Sequence, residues 1–268
     1  MRDASRPLPF AAGARAVFDL SLDGMVWTRR TLLMGLLVGL PAVVALLYRV
    51  VATRPEARLP PPADLYAVIV AVYWIRNVLP LAALFFATAL VADEVEGRTL
   101  TYLTSRPLTR PSVFAGKFAA YVATTLALAL PAVVLTFFVL LSARGLSAVG
   151  PAVGDLFRDA GVVALTLLAY GALFALLGVL LKRPVIPGLL FLYGWELMAN
   201  LPGYLPRLTL TAWLRSLVHH RPAEEGLSGL FQQVLPAGPG LAVLIGCSAA
   251  CLAAAAWIFS TREYVLEQ

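Results

Sequence analysis

Three carboxylates, Asp93, Glu94 and Glu96, stand together just before Gly97, and Arg98, Arg106, Arg110 and Lys117 follow them. Acids and bases in one cluster suit either proton transfer or charged recognition. Proton-transfer or nucleophilic chemistry would need a partner group, and the segment contains no His, Cys or Ser–His arrangement; H-E-x-x-H and G-x-S-x-G are absent from the whole chain. Recognition fits better. Leu100 and Leu103 fall on one side of a short helix expected from Arg98 to Thr104, Pro107 stops it, and Arg110 and Lys117 bracket the return. A short amphipathic helix held by turns between two apolar runs is a docking element: it can enter a groove on a partner and transmit a push. An ordinary solvated loop has the same composition, and the residue types alone leave both readings open.

A second group lies inside apolar sequence. Glu196 sits in LLFLYGWELMANLPGYL, with Asn200 four residues on and Tyr193 three before; Arg76 and Asn77 interrupt another apolar run. Ionisable side chains at membrane depth are costly and by default functional. At about 1.5 Å per residue the depths of Arg76 and Glu196 are close enough for contact. A structural ion pair is the leading reading, with a substrate contact, or an arginine reaching the interface beside a separately satisfied glutamate, as alternatives. His219-His220 lacks a third ligand and reads as loop, so no metal site is expected. Cys247 and Cys251, four apart, read as small buried residues.

The elements that must position these groups follow from composition. The chain has 268 residues, 60% of them hydrophobic and 13% charged, with a mean hydropathy of +0.83. A soluble domain of average composition has about 25% charged residues. The excess of apolar residues excludes disorder and an ordinary soluble enzyme, and makes the chain an integral membrane protein. Spans of about 20 apolar residues are expected at 31–51, 65–92, 113–141, 160–181, 184–205 and 237–259. Pro131 should kink the third, and Gly and Pro break both ends of the fifth. Before them, Phe10, Ala14, Val17, Phe18 and Met25 recur at helical spacing, and 10–28 reads as an amphipathic helix in the interface rather than a signal peptide. The outer loop 206–236 has two stretches at helical spacing, Leu210–Leu217 and Leu227–Val234, expected to dip into the interface.

With the N-terminus inside, inner segments hold twelve Arg and Lys against eight in outer loops, which places both termini in the cytoplasm by the positive-inside rule. The net charge of +6 belongs to that asymmetry, not to nucleic acid, since no basic run interleaves with aromatics. The fold expected is an all-α membrane protein: a single domain of six transmembrane helices, an N-terminal interfacial helix, and a cytoplasmic coupling helix within loop 93–112.

The run Glu96, Gly97, Thr99, Leu100, Leu103, Pro107, Arg110, Gly116 and Lys117, with Arg98 as an extra residue, resembles the permease subunits of type-2 ATP-binding-cassette exporters. The interfacial helix, the six spans and the Phe259–Glu263 segment extend the likeness over nearly the whole chain; the acidic residue often found on the N-terminal helix would here be Asp19 or Asp23. The resemblance implies a bacterial inner-membrane exporter with two permease subunits, expected as a homodimer. Two ATPase subunits would dock on the first helix and on the loop from Asp93 to Lys117. This chain would bind no cofactor. It has no G-x-x-x-x-G-K-[ST] loop, since Gly116-Lys117 precedes Phe118, so ATP and Mg would belong to the partner and the chain itself would not be an enzyme. The alternative is an assembly or mechanotransmission subunit that couples an ATPase to a periplasmic maturation partner and carries no substrate.

Overall fold

In a computed structural model, residues 9–26, 28–54, 59–96, 109–144, 149–201, 203–218 and 235–261 are described. Among these the fold is helical with no strand. The interfacial helix is α1, Phe10–Val26. Thr28 then caps α2, Arg29–Ala52, its side chain accepting from Thr31 N, while the Thr31 hydroxyl donates to Met25 O. This pair of threonines fixes the corner between the two helices.

The second span is continuous but not uniform. Helix α3, Pro62–Val68, passes into a π-helical segment, Ile69–Val78, and then into α4, Leu79–Glu96. Helix α5 is Arg110–Leu141 and runs through Pro131. Helix α6, Val149–Leu180, begins well before the expected start at 160 and so takes Asp155, Arg158 and Asp159 onto a helix. The last span, α9, is Ala237–Thr261.

The expected fifth span is not one helix. It is α7, Val185–Tyr193, then a 3₁₀ segment, Trp195–Asn200, and a second one, Leu205–Leu208, before α8, Leu210–Leu217. Among the described residues, five helices are long and apolar enough to cross a membrane. Gly194 and Gly203, the latter at φ +94°, mark the interruptions; a left-handed backbone suits glycine, which has no Cβ to clash.

Side-chain contacts order the ends of the bundle. Lys117 Nζ donates to Leu90 O at 3.0 Å, Arg110 Nη1 to Ser260 O at 3.3 Å, and the rings of Phe114 and Phe259 are 6.0 Å apart. The end of α4, the start of α5 and the end of α9 therefore share one end. Gly178, near the end of α6, lies against Thr88 of α4 at the same end. At the other end, Arg49 of α2 donates to Ser142, just past α5, beside an open recess of about 410 Å³ lined by Phe138, Val149 and Gly150. Since α6 and α9 run in the same direction, the chain from 181 to 236 has to travel the length of the bundle between them.

Several buried hydroxyls in this apolar interior are satisfied along their own helices. Thr88, Thr136, Thr166 and Ser248 each donate to the carbonyl four residues earlier. Small residues let the helices approach: Tyr121 of α5 lies directly on Gly171 of α6 and donates to Leu167 O at 2.8 Å.

Candidate functional site

The site at mid-depth is built by the broken fifth segment. Helix α8 packs against α6, α9 and the π-helical segment, and Thr211 at its start hydrogen-bonds Tyr170 of α6, oxygen to oxygen 2.8 Å. Tyr170 stands ten residues before the end of α6, about 15 Å along the helix. The start of α8 is therefore near the middle of a hydrocarbon core about 30 Å thick. A helix start leaves backbone N–H groups without intrahelical partners, and water is not there to take them. Glu196 does: its carboxylate accepts from Leu210 N at 3.2 Å and Thr211 N at 3.0 Å, and the residue is buried. Negative charge at a helix N-terminus is also favoured by the helix dipole. Thr209 adds a cap to Ala212 N, and one turn up Arg215 Nη1 donates to Asn200 Oδ1 at 3.1 Å. Trp195 Nε1 donates to Leu208 O and Trp213 Nε1 to Arg207 O. Together these bonds fold 195–217 into a hairpin that enters the bundle and turns back.

This corrects the expected Arg76–Glu196 ion pair. The two residues do not meet: Glu196 is taken by the backbone of α8, and Arg76, on the π-helical segment, has no hydrogen-bond or ion-pair partner among the described residues. Asn200 does join the Glu196 hairpin. The stretch expected at Leu210–Leu217 to dip into the interface is a helix, but Leu210, Thr211, Leu214 and Ser216 are buried against protein. The stretch at 227–234 and His219-His220 lie outside the described residues.

The expected docking surface is partly described. Asp93, Glu94 and Glu96 fall in the last turn of α4, where the helix dipole disfavours negative charge and a cationic partner would relieve it. Gly97, Arg98, Thr99, Leu100, Leu103 and Pro107 lie outside the described residues. On the return, Thr109 precedes α5, Arg110 reaches the end of α9, and Lys117 reaches the end of α4, so both basic residues tie helices together at this end.

Two residues have structural roles that the sequence does not assign them. Gly116 is the point where α1 crosses α5: a Cβ there would lie 2.4 Å from Ala14 O and 2.9 Å from Val17 Cβ. The small-residue spacing in α1, with Gly13 and Val17 the buried positions, was the available signal. The other is Asp159, a buried carboxylate on α6 facing Tyr66 of α3. Its place is hidden in the sequence because the charged residues 155–159 precede the apolar run expected from 160.

The chain matches the family described as ABC-2 family transporter protein over residues 23–264. No curated protein matches it.

Proposed function

The chain belongs to the ABC-2 transporter family, and from that premise we propose that it is the membrane-spanning subunit of an ATP-driven exporter, working as a homodimer with two separate ATPase subunits. The observation that carries the reading is the gathering of elements at one end of the bundle. Helix α1 lies on the start of α5, the carboxylates close α4, and α9 ends beside Arg110. The described residues on either side of 97–108 both lie at that end, so a partner seated there would touch helices leading into four parts of the bundle. On this reading Asp93, Glu94, Glu96 and the residues from Gly97 to Arg110 face the ATPase in the cytoplasm of a bacterium, with both termini on that side. The broken segment 184–217 completes a sixth crossing. ATP and Mg are bound by the partner, whose closure favours one state of the pathway by contacting the two states differently.

The second copy has its own support. Around the short 3₁₀ turn Leu205–Leu208 the backbone at 201, 203, 204 and 209 is irregular, between the mid-depth residues Glu196 and Leu210, yet Leu201, Tyr204, Leu205 and Leu208 are exposed. Lipid does not accommodate irregular backbone and water does not favour exposed leucines. A protein surface covering this face meets both demands, and a second copy of the chain is the partner the family reading supplies.

Topology is tested by labelling. In a background lacking Cys247 and Cys251, single cysteines at Ser105 and Gln268 should react with an impermeant maleimide only from the cytoplasmic side, and one at Ala148 only from outside. Labelling of Ser105 from outside would remove the docking segment from the ATPase.

A further inference from the structure

Arg76 takes part in neither the Glu196 hairpin nor the docking end. It is only partly buried, on the one π-helical segment among the described residues, a rare geometry that recurs at functional sites. Its depth is set by its neighbours. Trp74 Nε1 donates to Val38 O at 3.1 Å and Tyr73 OH to Leu37 O at 2.7 Å, and Val38 is nine residues into α2, about 14 Å along it. Arg76 is thus near mid-depth, and a half-thickness of about 15 Å exceeds the reach of its side chain to either interface. A cation held there without a partner is expensive and by default functional.

Its surroundings specify the ligand. The outward face of this span runs Val68, Val72, Arg76 with Asn77, Leu81 and Phe85, all partly or fully exposed. It is an apolar stripe with one cation and one amide at its middle. Asn77 Nδ2 is engaged by Val72 O, which leaves the guanidinium as the charged donor facing out. We propose that Arg76 binds the anionic group, phosphate or carboxylate, of an amphiphile whose hydrocarbon lies along Val72, Leu81 and Phe85. Resting on the exporter reading, this makes the transported substrate class anionic amphiphiles. The guanidinium forms charge-assisted hydrogen bonds to such a group.

The test uses the full-length chain in zwitterionic nanodiscs and dansyl-undecanoic acid, a fluorescent carboxylate amphiphile. Wild type should bind it saturably. Arg76→Leu and Arg76→Gln should bind about tenfold more weakly or worse, as expected for losing a hydrogen bond between charged groups. Arg76→Lys should retain most of the affinity, and the uncharged methyl ester should bind all four proteins alike. Matching elution and thermal stability show that the variants are folded. If phosphatidylglycerol in the nanodisc suppresses the probe, the anion is a bilayer lipid; if only added dodecyl phosphate displaces it, the anion is a free amphiphile. Either result supports the site. Equal probe affinity in wild type and Arg76→Leu would overturn it, as would dissociation of a dimer in Arg76→Leu with no probe bound to wild type, which would give the guanidinium to a carboxylate of the second copy. Arg76-dependent binding in a chain that associates with no ATPase would leave the site standing and remove the exporter.

Discussion

Replacing Glu196 with leucine should unseat the hairpin at mid-depth and give one of the two largest losses of stability among the substitutions considered. The carboxylate is the partner of two backbone N–H groups, on Leu210 and Thr211. Leucine matches its bulk but strands both donors away from water. Each stranded group costs about 1–3 kcal/mol, so the expected loss is roughly 2–6 kcal/mol. Glu196→Gln keeps one carbonyl oxygen for one donor and should lose less. The check is thermal unfolding in detergent, together with maleimide labelling of a cysteine at Leu214, which is fully buried and should become reactive only in Glu196→Leu. Because Arg76 does not touch Glu196, the losses from Arg76→Leu and Glu196→Leu should add to within about 0.5 kcal/mol. Unchanged unfolding and a shielded Leu214 position in Glu196→Leu would mean that the cap does not hold the hairpin.

The second large effect should come from Gly116→Leu. Its Cβ would lie 2.4 Å from the backbone oxygen of Ala14, and a backbone atom cannot rotate aside. Overpacking of this kind costs about 1–3 kcal/mol where neighbours can shift; here the available shift is the whole of α1 leaving α5. A cysteine at Val17, 3% exposed, should be shielded in the wild type and labelled in Gly116→Leu. Stimulated ATPase activity should fall while the protein remains inserted, since α1 is half of the proposed docking end. A shielded Val17 position with full stimulation would separate α1 from coupling.

These two residues show what the sequence carries and what it does not. The first, second, third and last spans were legible because apolar runs of about 20 residues have no other stable home. The start of α6 was not, because Gly150, Gly154, Asp155, Arg158 and Asp159 dilute its hydropathy although the helix is already formed. Residues 184–205 have the apolar content of a span, and only Pro187, Gly194, Pro202 and Gly203 hinted that the helix breaks. Glu196 stands out in the sequence as a costly charge, but depth alone points to a partner among opposite charges. Depth along a helix says nothing of the direction a side chain faces, and the N–H groups at the start of α8 become available only once the chain has folded back. In the sequence Gly116 belongs to the run that resembles the exporter permeases. Its steric role exists only when α1 lies across α5, a contact of two segments about a hundred residues apart in sequence.

If this chain is the membrane-spanning subunit of an exporter, a separate ATPase must drive it. The most direct measurement is to isolate the full-length chain from its native membranes in mild detergent and assay what accompanies it. An ATP-binding-cassette ATPase should be present in equal amount, with ATP hydrolysis that the intact chain stimulates and that Gly97→Val abolishes while leaving the chain folded and inserted. A folded, dimeric chain that comes away with no ATP-hydrolysing partner, or a partner whose hydrolysis is the same with and without the chain, would rule out an ATP-driven exporter.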